Sequence, residues 1–214
     1  NQNSPFHENS NYNPYLNYGR SKMLMENYVK EIERKKLIHT VLIRAMWFYG
    51  PYQPYRQNLF FEMIHKGKVP LVGSGNNLRS MSNTENLSYG LILASIKENA
   101  NGNVYWIADK KPYSQMEIID TVRVVLREQF NIISSKKVIK LPNILSTIAY
   151  YLDHVIQNVG LYNSKLHVLT ELNKNIFCTI NKAEEDLGYK PKIDLKIGLK
   201  RNFEWMKTNN KLNF

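Results

Sequence analysis

The chain is poor in the residues that build several classes of protein. It has one cysteine, Cys178, which excludes an internal disulfide framework and suits a reducing compartment, so a cytoplasmic location is expected. No apolar stretch approaches the ~20 residues that span a bilayer, and the opening NQNSPFHENS is polar rather than signal-like, so no membrane partner is expected. The five histidines are scattered without ligand-like spacing, which predicts no metal site. Acidic residues are few: 18 Asp and Glu against 29 Lys and Arg leave a formal net charge of +11. Such an excess can mark a nucleic-acid surface. Here the lysines run along the whole chain and cluster only as pairs, such as Lys35–Lys36, Lys110–Lys111 and Lys136–Lys137. They read as a solvated surface, and no nucleic-acid partner is expected. Also missing is a strand, glycine-rich turn and helix unit that would cradle a dinucleotide pyrophosphate. VGSGNN at 72–77 has two glycines and no helix-opening pattern behind it, so it reads as a plain turn.

What is present is enough apolar sequence, 43% of 214 residues, for a real core. Residues 1–17 read as a loop. From Tyr18 to Lys36 apolar residues recur at helical spacing, with Met25, Val29 and Ile32 on one stripe and Leu24 and Tyr28 beside it. TVLIRAMWF at 40–48 and NVYWIA at 103–108 are nearly continuous apolar runs, the mark of strands buried on both faces of a parallel sheet. Helices are expected over 56–66, 84–98, 114–130 and 142–159, and KVIKLP reads as a short strand. Ser114 with Glu117, and Asn181 with Glu184, have capping-box spacing. Gly188 and Pro191 stop the second of these helices, and Asp194 caps a last helix whose inner face is Leu195, Leu199, Phe203 and Met206. Strands alternating with helices predict an α/β fold.

The order of motifs resembles the extended short-chain dehydrogenase/reductase family, which includes NAD-dependent epimerase/dehydratases. YGRSK opens a helix, and LIRAMWFYGP follows about 20 residues on. GSGNNLRSMSNTENLSYGLILA, GNVYWIADKKPYSQMEIID, NKAEEDLGYKP and GLKRNFEWMK come after it in the family's order. The resemblance covers essentially all of 13–207. It implies the second half of a Rossmann-like doubly wound parallel sheet plus a small C-terminal α/β substrate lobe. Rossmann elements would lie mainly in 13–66 and 84–130, and the lobe mainly in 67–83 and 131–214. In this family the dinucleotide-binding half precedes the tyrosine, so the chain reads as a C-terminal portion, expected to be inactive alone.

The resemblance assigns Tyr18 and Lys22 as catalytic and cofactor-binding residues. A tyrosine four residues before a lysine arises roughly once or twice by chance in so tyrosine- and lysine-rich a chain, so the context carries the assignment. On a helix the two share one face. A phenol that ionises near ~10 is a poor base at neutral pH; an adjacent ammonium, and an oxidised nicotinamide, favour the phenolate. Moving its ionisation to about pH 7 takes roughly 4 kcal/mol. The implied cofactor is NAD or NADP, and the implied chemistry is proton transfer coupled to hydride transfer at a carbinol or carbonyl carbon.

Ala45, Met46 and Phe48 fall where the family's cofactor-facing strand ends, and Trp47, Tyr52 and Arg79 are substrate candidates. Trp47 with Met46 and Phe48 would form an apolar wall, which resembles the hydroxysteroid-dehydrogenase-like branch; Trp47 as plain core is the other reading. Arg79 keeps open a nucleotide-sugar epimerase or dehydratase. A non-catalytic, cofactor-sensing relative is a further alternative. The second apolar stripe, Leu24 and Tyr28, points to a homodimer of the complete protein unless neighbouring helices of the same chain bury it.

Overall fold

Apolar periodicity turns into elements almost run by run. The computed structural model describes residues 4–14 and 16–212, so residues 1–3 and 15 of the expected opening loop lie outside the described residues. A coil over 4–14, bridged at Phe6 to Cys178, precedes α1 (Leu16–Arg34), which is followed by β1 (Leu42–Ala45), β2 (Trp47–Tyr49), α2 (Tyr55–His65) and β3 (Pro70–Val72). Then come β4 (Leu78–Arg79), β5 (Met81–Asn83), α3 (Thr84–Ile96), β6 (Val104–Ile107), β7 (Tyr113–Ser114) and α4 (Gln115–Phe130). The chain ends through β8 (Ile139–Leu141), α5 (Ile144–Asn158), α6 (Ser164–Glu171), α7 (Asn181–Leu187) and α8 (Leu195–Thr208). β1 pairs with β6, β2 with β5 and β3 with β8, all in parallel, while β4 and β7 are antiparallel. The fold is α/β with parallel pairing. No helix among the described residues is long and apolar enough to cross a membrane.

The largest core cluster sits where α4 and α8 close over the strands: Ile64, Leu71, Met81, Ile118, Val122, Leu126, Leu199 and Phe203 are all buried. A second gathers Tyr105 and Ile107 of β6 with Ala183, Leu187 and Tyr189. Caps set the helix starts. Ser114 Oγ accepts the Glu117 N–H at 3.0 Å and Asp194 Oδ1 accepts that of Ile197 at 2.9 Å. Gly188 ends α7 at φ 69°, in the left-handed region that glycine adopts freely. Gly90 lets α3 lie against β6, where a Cβ would meet Ile107 Cγ2 at 2.8 Å.

Several expectations need correction. The run 40–48 is two strands, because β1 and β2 answer to different partners and Met46 separates them. Nor are the strands buried on both faces. In β6 Tyr105 and Ile107 are buried while Val104 and Trp106 are only half-buried, and β1 is half-buried with Ala45 exposed. Asn181 is not a cap: Ile180 occupies that position without a side-chain hydrogen bond. In the Ser114 box, the Glu117 carboxylate pairs with Lys111 at 2.8 Å. α6 was not expected at all. No residue of α1 is buried: Val29 and Ile32 are half-buried and Met25 is 45% exposed.

Candidate active site

Residues 18, 22, 26 and 30 follow one another at single turns of α1, which places Tyr18, Lys22, Glu26 and Lys30 on one helix face. That face looks across the opening coil toward β1. Tyr18 and Lys22 line a cleft of about 460 Å³ whose walls include Tyr12, Arg44, Ala45 and Trp106. Lys22 Nζ lies 5.7 Å from the centroid of the Tyr18 ring. Both side chains are exposed, and among the described residues Lys22 joins no ion pair.

Beneath them the cleft is held by a charge network. Arg44 sits on β1 opposite Trp106 of β6. Its guanidinium forks onto Glu26, with Nη2 at 2.7 Å from Oε2 and Nε at 3.0 Å from Oε1. Tyr12 donates its hydroxyl to Glu26 Oε2 at 2.7 Å and accepts from Lys30 Nζ at 2.8 Å. Arg44 also donates to the Glu8 carbonyl oxygen at 3.2 Å, and the Glu8 carboxylate accepts the Trp106 N–H at 3.1 Å. Burial works against the Glu26 charge, but the Arg44 and Tyr12 hydrogen bonds outweigh it and hold the carboxyl below its ordinary range. Burial likewise disfavours the Arg44 cation, and Glu26 more than compensates, so Arg44 binds its proton above the usual value.

Of the candidate site residues read from the sequence, Tyr18, Lys22 and Ala45 come together at this cleft, which Met25 of the expected apolar stripe also lines; the other candidate site residues do not line it. Met46 packs on the second core cluster. Trp47 packs edge-on against Phe60, ring centroids 5.0 Å apart, at the margin of the first, which is the plain-core reading. Phe48 is at the edge of exposure. Tyr52 is 82% exposed with its ring 5.2 Å from that of Trp205. Arg79 is turned inward, where Nη2 donates to the Glu171 carbonyl oxygen of α6 at 2.7 Å and burial weakens its hold on its proton.

Residues 3–143 match the 3-beta hydroxysteroid dehydrogenase/isomerase family. The chain belongs to this family. Among its relatives, the uncharacterized protein y4nL of Sinorhizobium fredii is 46% identical over 205 residues, covering 95% of this chain and 58% of that one. A putative UDP-glucose 4-epimerase of Methanocaldococcus jannaschii is 27% identical over 213 residues, covering 97% and 58%. The fold is that of UDP-glucuronic acid 4-epimerase from Bacillus cereus, solved with UDP-glucuronic acid and NAD, at a TM-score of 0.68 and 18% identity over 97% of this chain and 58% of that one. The chain therefore spans a little over half the length of each of these relatives.

Sequence reasoning missed Tyr12, Glu26 and Arg44. A signal for Glu26 was present, since Lys22, Glu26 and Lys30 alternate in charge at four-residue steps on the Tyr18 face. It also missed a buried joint at the far ends of the strands. There Asp109 accepts the Tyr49 hydroxyl at 2.8 Å, the Asn83 N–H at 2.9 Å and Asn86 Nδ2 at 2.8 Å. Asn86 in turn takes the N–H groups of Lys192 and Ile193, tying the segment before α8 to α3.

Proposed function

We propose that this chain carries the proton-transfer and ribose-facing part of an NAD(P)-dependent oxidoreductase or epimerase that acts at a carbinol or carbonyl carbon of a small molecule. The observation that carries the reading is the exposed Tyr18–Lys22 pair on one face of α1, opening on the cleft beside Ala45. The donor set suits the nicotinamide ribose: an ammonium without an ion pair among the described residues, beside a phenol, at a cleft edge formed by a small residue. A bound nicotinamide would supply the hydride acceptor or donor. On oxidation the carbinol O–H proton goes to Tyr18 Oη, and on reduction the same proton returns to the substrate oxygen. Lys22 keeps positive charge beside the phenol, which favours the phenolate, and its remaining N–H groups are free for ribose hydroxyls.

A nucleotide sugar is the second substrate reading, favoured by the M. jannaschii relative and the B. cereus enzyme. The division into Rossmann elements (13–66 and 84–130) and a substrate lobe, a dinucleotide-binding half outside this chain, a cytoplasmic location and a homodimer belong to the same proposal. In the full-length protein, Tyr18→Phe is expected to lower kcat about a thousandfold, within the usual range for a lost acid/base group, with cofactor affinity within about twofold. Lys22→Ala is expected to damage both. Steady-state turnover on hydroxysteroid and UDP-sugar panels, with calorimetry of NAD and NADP, reads these effects. Equal and mild losses from the two changes overturn the pair.

A further inference from the structure

Glu26 lies one turn beyond Lys22 on the same helix face. A carboxylate there is within i,i+4 reach of the Lys22 ammonium, as it is of Lys30 one turn further on. In this structure Glu26 is engaged elsewhere. The Arg44 fork and the Tyr12 hydroxyl occupy its two oxygens, and the Arg44 and Glu26 side chains are each only 12% exposed. Arg44 is itself clamped, with its guanidinium carbon 5.5 Å from the Tyr12 ring centroid and 5.3 Å from that of Trp106. Lys30, the other flanking cation, donates to Tyr12 Oη. Lys22 is left beside Tyr18.

We infer that Arg44 is a positioning residue: by sequestering Glu26 it keeps the Lys22 ammonium for Tyr18. This rests on the proposed Tyr18–Lys22 reading and adds to it a residue on β1 that touches neither partner. The charged and titratable groups that face this stretch of α1 are His7, Glu8 and Tyr12 on the coil and Arg44 on β1, with Glu26 and Lys30 on α1 itself. Glu8 is committed to the Trp106 N–H, so Glu26 is the carboxylate that would compete for Lys22 once Arg44 is gone.

The test reads the Tyr18 phenol directly, in the full-length protein without cofactor. Tyrosine is isotope-labelled at Cζ, the Tyr18 resonance is identified by its loss in Tyr18→Phe, and its phenolate-to-phenol ratio is measured at about pH 9.5, near where tyrosines titrate. Arg44→Gln frees Glu26 to draw Lys22 away, and the ratio is expected to fall about fivefold. Adding Glu26→Gln removes the competitor and is expected to restore the ratio to within about twofold of wild type. A role for Arg44 confined to holding the fold predicts no such rescue. An unchanged ratio in Arg44→Gln, or an equal loss in the double variant, overturns the inference. Should Arg44→Gln not fold, Arg44→Lys keeps the charge but loses the fork, and is expected to lower the ratio about twofold; a wild-type ratio there overturns it equally. Lys22→Ala separates the two levels. A ratio indifferent to it sinks the Tyr18–Lys22 pair, whereas a ratio that follows Lys22 but ignores Arg44 sinks only the positioning role.

Discussion

Asp109 and Glu26 are both carboxylates withdrawn from water and supplied with short hydrogen bonds, yet they end at opposite sides of the ordinary range. Asp109 is 3% exposed at the joint between β2, β5 and β6, and its donors are a phenol, a backbone amide and an asparagine. Burial dominates there and pushes it up to about 6. Glu26 is held by a guanidinium, and it goes down. Neutral donors offset only part of the cost of burying a charge, while a bidentate cation offsets more than all of it. The difference follows the packing. The Asp109 region is fastened by apolar burial on both sides and tolerates a carboxyl that binds its proton readily. α1 has no buried residue in this chain, and the Arg44–Glu26 fork ties it to β1.

Packing gives the largest way to test that contrast. Phe203 is fully buried, with its ring edge-on to Phe61 at 5.1 Å and to Phe130 at 6.1 Å between centroids. Phe203→Ala is expected to destabilise by about 3–5 kcal/mol, as large-to-small changes in such cores do. Val29→Ala on half-buried α1 is expected to cost no more than about 1 kcal/mol. Urea unfolding of the full-length protein compares the two, and similar losses would mean that α1 is packed as firmly as α8.

The pH dependence sharpens the contrast with a change of sign. Asp109 binds its proton more tightly folded than unfolded, so its contribution to stability is fully present below about pH 4 and is lost as pH rises through about 6. Glu26 binds its proton less tightly folded, so its contribution is present above its unfolded value and is lost as pH falls. Asp109→Asn is therefore expected to be more favourable relative to wild type at pH 7 than at pH 5, by about 1 kcal/mol. Glu26→Gln is expected to shift the opposite way as pH is lowered through the carboxylate range. Urea midpoints across pH for both variants decide it, and slopes of the same sign would remove the distinction.

The two regions also differed in how far the sequence revealed them. Leu195, Leu199, Phe203 and Met206 could be read as one buried face because helical period and burial coincide there, and the Asp194 cap stood at its start. α1 was legible as a helix but not in its burial, since its apolar residues form two stripes and neither is buried. A single strand over 40–48 was the natural reading of a nearly continuous apolar run, because the pairing partners, β6 for one part and β5 for the other, divide it. Tyr18 and Lys22 could be singled out because the motifs around them come in a recognisable order, the four-residue spacing alone being weak; Arg44 and Glu26 are 18 apart, and a lone arginine on a strand gives no hint of its partner. The Asp109 joint is built largely from neutral asparagines and a phenol across long separations, a chemistry with no periodic signature.

The smallest expected effect on stability falls on the outer face of α1, where it bears on assembly instead. Leu24 and Tyr28 are 62% and 64% exposed, so no neighbour in this chain covers the second stripe among the described residues. An apolar strip of this kind is unfavourable in water, and a two-fold contact that apposes it with its own copy is the simplest way to remove it. Since both side chains are exposed in this chain, Leu24→Glu with Tyr28→Glu should change the unfolding free energy by no more than about 0.5 kcal/mol per site in the separated subunit. In a dimer apposed on this strip, the same pair of changes would bring like charges together at the contact. Light scattering of the full-length protein is therefore expected to show a dimer for the parent and a monomer for the double variant. A dimer that survives both glutamates places the interface on another face, and a monomeric parent ends the proposal for this surface.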